Sequence, residues 1–175
     1  MELPEVIFDP DRMTLEEHGR EVVRVFEWPS PPQGVEITKA GSARTLVVTQ
    51  RPLFGVLFLC AAGLWAVAGL VAHWQFLLLA VAFIAEGVKL GWGTVSIRSE
   101  WGTVTVSEGI GSAQKHSPFA LKDLRVIRHK SRGGRKSRGS LLLQADRTIE
   151  FGSRLLSDQR HYVIGFLLDE ARRAE

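Results

Sequence analysis

The chain has 175 residues, a net charge of +3 and a mean hydropathy of +0.04, so it has room for one domain plus an appendage. Its one cysteine, Cys60, excludes an intrachain disulfide framework and a cysteine-rich metal site. The acidic start, MELPEVIFDPDRM, lacks the apolar run of a secretory signal.

Charge is distributed unevenly along the chain. Residues 1–40 contain nine acidic and four basic side chains, whereas residues 121–175 contain thirteen basic and seven acidic ones. A basic excess of this kind favours an anionic partner for the C-terminal part.

The first 34 residues contain five of the seven prolines, including the run WPSPPQG, which is typical of extended or turning backbone. We therefore expect an N-terminal arm over 1–34. Within it, the valines and phenylalanine of Glu21–Trp28 predict a strand. Asp9 and Asp11 flank Pro10, a pattern more typical of a loop than of a metal site.

Short alternating segments with turn residues between them predict a β-domain over 35–51 and 93–175. The predicted strands are 35–39, 45–50, 94–98, 103–107, 121–130, 140–145 and 148–152, with Glu100-Trp101-Gly102 as a turn. A closing helix begins near Ser157 or Asp158 and has an apolar face.

Residues 53–92 form an almost continuous apolar block. A bilayer core of ~30 Å requires about 20 helical residues for each pass. The block therefore predicts a transmembrane hairpin with helices over 53–72 and 76–92 and the polar tip His73-Trp74-Gln75 between them. Basic residues outside both ends of the block place both termini in the cytoplasm. The alternatives are a buried helical hairpin and one tilted span with a re-entrant piece.

Glu86 and Lys89 are the only formal charges in this block. Their i, i+3 spacing allows an ion pair, or a contact with a partner helix, and an intramembrane carboxylate is also a candidate for proton relay. His73 is a candidate ligand for a haem or pigment of a neighbouring subunit, or simply a surface histidine. Small residues recur on both helices and would allow close helix packing (Ala62, Ala66, Gly69, Ala82, Ala85, Gly87).

The element order resembles uncharacterised bacterial membrane proteins in which a two-helix hairpin interrupts a pleckstrin-homology-like (PH-like) β-domain. The resemblance covers roughly residues 44–174. It lies in RTLVVTQRPLFGVLFL before the hairpin and TVSIRSEWGTVTV after it, followed by LKDLRVI, SLLLQADRTIEFGSRL and SDQRHYVIGFLLDEAR. It implies an α+β membrane protein: a PH-like β-sandwich or open barrel with a C-terminal helix, interrupted by the hairpin and located in the bacterial cytoplasmic (inner) membrane. It implies no reaction.

The segment RVIRHKSRGGRKSRGS contains seven basic residues and no acidic one between residues 125 and 138. Such a loop can contact anionic lipid headgroups, dock on an acidic protein, or remain solvated. Nucleic acid is disfavoured because no aromatic side chains are interleaved with the charges. The candidate binding residues are Arg128, Lys130, Arg132, Arg135, Lys136 and Arg138.

The sequence contains no nucleophile elbow, no phosphate-binding glycine loop and no paired histidines with metal-ligand spacing. We therefore expect no enzyme activity, no cofactor and no metal. The predicted function is an accessory or scaffold subunit that binds and stabilises membrane proteins. The alternatives are a stand-alone module that binds anionic lipid and a cofactor-bearing or transport subunit.

Overall fold

A computed structural model describes residues 3–8, 14–26, 30–49, 52–71, 73–131, 139–153 and 155–174; the side chains at 26, 52–55, 86, 89–92 and 131 lie outside this description. The described part forms nine strands and four α-helices. The strands are β1 (Glu5–Phe8), β2 (Val35–Ala40), β3 (Ala43–Thr49), β4 (Gly93–Glu100), β5 (Thr103–Ile110), β6 (Ala113–Ala120), β7 (Val126–Ser131), β8 (Gly139–Gln144) and β9 (Thr148–Phe151). The helices are α1 (Leu15–Phe26), α2 (Pro52–Val71), α3 (Gln75–Trp92) and α4 (Ser157–Arg173), and a 3₁₀ turn covers Leu121–Asp123.

The strands form two sheets. One has the order β1-β7-β8-β9 and the other the order β2-β3-β4-β5-β6. In the first sheet β1 is parallel to β7, with Glu5 opposite Val126, whereas β8 is antiparallel to both β7 and β9. In the second, β2 and β3 form an antiparallel hairpin.

Both sheets and α4 contribute to one hydrophobic core. Its residues include Ile127 and Leu143 from the first sheet, Leu46 and Ile97 from the second, and Ile164 from α4, all fully buried. These residues alternate with outward-facing side chains along each strand, as expected for strands with one buried face. The described residues form an α+β fold with two sheets and four helices, in which strands β7 to β9 precede the C-terminal helix α4. The PH-like resemblance stays a prediction.

Over residues 21–26, helix α1 replaces the strand predicted at Glu21–Trp28, whose last two residues lie outside the described part. Thr14 precedes α1 and accepts a hydrogen bond from the Glu17 backbone N–H at 3.2 Å, while the Glu17 carboxylate accepts one from the Thr14 N–H at 3.1 Å. This reciprocal capping box is a strong helix start, and it lies upstream of the valines that suggested a strand. The helix packs on α4, where a Cβ added at Gly165 would approach the Val25 carbonyl oxygen to 2.9 Å.

Most other predicted elements form close to their expected bounds, and two strands are additional. The strand predicted over 121–130 is wrong in its first part, where Leu121–Asp123 form a 3₁₀ turn and β7 begins only at Val126. β1 lies within the segment predicted as an arm. β6 was missed because AQKHSPFA has no clear alternation and contains Pro118; it is an edge strand, where proline is tolerated. Asp9 and Asp11 lie outside the described residues.

Helices α2 and α3 start and end within one residue of the predicted bounds, and the tip between them includes exposed His73 and Trp74. Among the described residues, however, no helix is both long and apolar enough to cross a bilayer. On this finding, the transmembrane hairpin, the membrane-protein fold class and the two-pass inner-membrane location with cytoplasmic termini are wrong.

Candidate functional site

The two helices of the hairpin α2–α3 pack closely on each other. Ala62 and Ala80 are buried, and a Cβ added at Gly69 would lie 2.7 Å from Cγ of Leu77. Two aromatic pairs flank this contact, Phe58 with Phe83 at a centroid distance of 5.6 Å and Trp65 with Phe76 at 5.4 Å. Of the small residues predicted to lie between helices, Ala62, Gly69 and Gly87 are buried, whereas Ala82 and Ala85 are exposed.

The outward faces of the same hairpin are apolar and exposed. On α2, Leu64 is 76% exposed and Leu70 is 80% exposed; on α3, Leu78 is 62% exposed. The residues of this surface, called the apolar hairpin face from here on, are Val56, Leu57, Leu64, Val67, Leu70, Val71, Leu78, Val81 and Ile84. The segment Pro52–Val71 has no charged residue at all. Contiguous apolar surfaces of this kind are rare on monomers and mark interaction sites.

The structure describes few of the side chains in the predicted intramembrane pair and the basic set. The side chains of Glu86 and Lys89 lie outside the described part, as do Arg132, Arg135, Lys136 and Arg138. Their predicted roles stay predictions.

The two described members of the basic set lie on β7. Arg128 is half-buried, and Lys130 lies 4.0 Å from the Glu150 carboxylate in an exposed pair. An exposed pair of this kind contributes little to stability, so Lys130 is available to a partner.

A partly buried ion cluster, which no sequence pattern predicted, links β3 to α4. Arg44 is only 15% exposed and donates hydrogen bonds to Asp169 at 2.7 Å and to Glu170, whose side chain is 8% exposed. The guanidinium also lies 5.3 Å from the centroid of the Phe166 ring. These three residues are more than 120 positions from Arg44 in sequence, so no local pattern could have paired them with it.

Within this cluster, burial and charge pairing shift the pKa values of Arg44 and Asp169 in opposite directions. Burial alone would lower the pKa of Arg44, but the hydrogen bonds and charges of Asp169 and Glu170 raise it above its ordinary value. Burial would raise the pKa of Asp169, but Arg44 and Arg173 bring it below the ordinary value. Burial also raises the pKa of the neighbouring Tyr162 phenol, partly offset by the Arg44 charge.

A cavity of about 280 Å³ adjoins these residues and is lined by Arg44, Tyr162, Phe166 and Arg172 among others. Arg44 is a positively charged lining residue that could bind an anion in this cavity, but it is already hydrogen-bonded to two carboxylates. The cluster therefore fixes α4 to β3 rather than offering a free anion site.

A second cluster, made of histidines around Phe8, lies where α1, β1, β7 and α4 meet. The Phe8 ring is stacked on His161 at 5.3 Å and lies 5.9 Å from both His18 and His129. His161 is hydrogen-bonded through Nε2 to Glu21 and through Nδ1 to the Ser157 carbonyl oxygen. Both ring nitrogens are thus occupied, and within the described residues no cluster of ligating side chains could hold a metal ion.

Buried Arg160 of α4 connects this helix to the first sheet. Its guanidinium donates to the carbonyl oxygens of Gly139 at 3.1 Å and Leu155 at 2.7 Å, and burial lowers its pKa. These contacts are structural.

Comparison with known proteins finds no family model that matches the chain and no curated protein with significant sequence similarity. The most distinctive surface of the described structure is the apolar hairpin face.

Proposed function

We propose that this protein is an accessory, non-enzymatic subunit that binds partner proteins through its apolar hairpin face. The observation that carries the proposal is the exposure of large aliphatic side chains on both helices, including Leu64, Leu70 and Leu78. Isolated exposed leucines are ordinary, but a series of them along two adjacent helices is not.

The chemistry of the face indicates what kind of partner surface fits it. α2 has no charged side chain, so it cannot form ion pairs with a partner. The matching surface is an apolar groove or helix pair on another protein, engaged by the helix-in-groove mode in which side chains at helical spacing act as anchors. Burial of one leucine side chain contributes about 1.5–3 kcal/mol, whereas association costs about 4–15 kcal/mol in lost translational and rotational freedom, so stable binding requires several of these side chains to be buried together.

The β-domain would supply a second contact in the same assembly. Arg128 and Lys130 lie on β7 next to the rest of the basic set, and acidic surface on a partner would complement them. The PH-like resemblance supplies no catalytic residue.

The test is isolation of the tagged full-length protein from its native cells under mild conditions, followed by identification and quantification of the proteins that accompany it. We expect a stoichiometric partner that is lost in Leu64→Gln and in Leu78→Gln. The matched control is Leu15→Gln, the same change at a leucine on α1 that is 92% exposed and outside the hairpin.

Three outcomes would overturn the proposal. The first is a wild-type chain that is isolated alone, without any stoichiometric partner. The second is a partner whose recovery is unchanged in both hairpin variants. The third is a purified chain whose hairpin associates with lipid vesicles instead of protein. Labelling of exposed Cys60 on α2 with a maleimide gives an independent readout, since a docked partner would slow it.

A further inference from the structure

The outward face of the five-stranded sheet forms a polar groove that the proposed function does not use. Along β4 and β5 the inward residues, such as Ile97 and Val104, are fully buried in the core. The residues between them point outward and line a groove of about 760 Å³, a size typical of small-molecule sites.

More than half of the residues that line this groove carry a hydroxyl group. Five of its lining side chains are serine or threonine: Thr45, Ser96, Thr103, Thr105 and Ser107. A hydroxyl both donates and accepts hydrogen bonds, and its proton rotates to suit the ligand. Three strands therefore present an array of groups that match the alternating donors and acceptors of another polyhydroxylated molecule.

The charged groups of the groove neutralise one another. Arg98 donates to Glu100 at 2.7 Å, and the two side chains are 60% and 40% exposed. The remaining titratable group, His116, is hydrogen-bonded through Nδ1 to Ser107 at 2.8 Å. A phosphorylated ligand or a nucleic acid would find no net positive charge here, whereas a neutral ligand encounters no unpaired charge to desolvate.

Trp101 lies at the rim of the groove and is 83% exposed. It occupies the turn between β4 and β5 with a φ of 51°, and Gly102 follows with a φ of 74°. Two positive φ values in a two-residue hairpin turn suit asparagine or glycine at the first position, not a bulky aromatic residue. A left-handed non-glycine residue costs about 1–3 kcal/mol and is concentrated at functional sites.

We propose that this groove binds a neutral saccharide, with Trp101 as its stacking platform. The C–H face of a pyranose ring is apolar and packs on an indole, while its hydroxyls extend toward the Ser and Thr side chains. Arg98 and Glu100 would then act as a paired donor and acceptor for ring hydroxyls. The site is independent of the apolar hairpin face, because none of its lining residues belongs to α2 or α3.

The test is titration of the full-length chain with maltotetraose, cellotetraose and the tetramer of N-acetylglucosamine, followed by ligand-observed NMR and calorimetry. We expect at least one to bind, and Trp101→Asn to weaken that binding about tenfold or more. Because asparagine followed by glycine suits this turn, the variant should remain folded, which separates loss of binding from loss of structure.

A second pair of variants tests the hydroxyl array. Thr105→Val replaces a groove hydroxyl by a methyl group and should weaken binding several-fold, whereas Thr148→Val makes the same change at an exposed position on β9, in the other sheet, and should not. The proposal is overturned if none of the three oligosaccharides binds, if binding survives Trp101→Asn, or if the two threonine variants behave alike. Binding of sulfated or phosphorylated sugars only would also overturn it.

Discussion

Replacement of Arg44 by methionine tests the central claim about how α4 is held. The side chain lies between Asp169 and Glu170 and is 15% exposed, and the Glu170 side chain is 8% exposed. Methionine keeps most of the length and apolar contact of arginine but removes both hydrogen bonds and the positive charge. The Glu170 carboxylate would then be left buried without its counter-charge.

Removal of one partner from a buried ion pair typically costs about 3–5 kcal/mol. We expect the lower end, about 3 kcal/mol, because Asp169 is 47% exposed and water can solvate it after the substitution. In a domain of this size each kcal/mol shifts the melting temperature by roughly 2–4 °C, so the expected decrease in Tm is roughly 6–12 °C. Urea unfolding at neutral pH, followed by far-UV circular dichroism, gives the free energy of unfolding directly.

Arg173→Met is the matched control. Arg173 also pairs with Asp169, at 3.2 Å, but its side chain is 54% exposed, so its loss should cost less than about 0.5 kcal/mol. The double variant with Glu170→Gln removes the stranded charge and should regain much of the lost stability. The reasoning is refuted if Arg44→Met is as stable as Arg173→Met, or if the double variant is less stable than Arg44→Met.

Other measurements test separate features. Burial raises the folded-state pKa of Tyr162, so the folded state holds the phenol proton more tightly than the unfolded state does. The free energy of unfolding should therefore fall as pH rises above about 10. The folded-state pKa of Asp169 is lowered, so its contribution is present above the unfolded value of 3.8 and should be lost as pH falls below it; Asp169→Asn should flatten that acid limb of the stability curve. Trp101→Asn should stabilise the fold by about 1 kcal/mol through relief of the left-handed conformation, and unchanged or lower stability would contradict the strain assigned to the turn. If the basic segment 132–138 contacts an anionic partner, alanine at its four basic residues should weaken that binding and reduce its dependence on salt; salt-insensitive binding would count against it.

The elements with strong local signals were predictable from the sequence. Strand alternation and turn residues located β2 to β5 and β7 to β9, and the polar triplet at 73–75 located the break between α2 and α3. The strand predicted at Glu21–Trp28 is wrong over residues 21–26, because Val22 and Val25 also fit one face of a helix and the capping box from Thr14 to Glu17 starts that helix.

The proposed binding surfaces were harder to predict, for two different physical reasons. An apolar helix face has the same composition whether it meets lipid or protein, so composition alone led to the wrong choice of a membrane span. The sheet groove and the Arg44 cluster depend on contacts between distant segments. Arg44 and Glu170 are 126 residues apart, and the groove hydroxyls come from three strands with no shared sequence pattern.

The position of the helical hairpin in the chain has a consequence for how such a protein could arise. β3 and β4 are neighbours in one sheet, and the segment from residue 50 to residue 92 is the connection between them. The entropy of closing a loop grows only logarithmically with its length, about 0.6 kcal/mol for each doubling. Extra sequence could therefore be grafted at this one junction, and diversify there, while strand pairing on either side stayed the same.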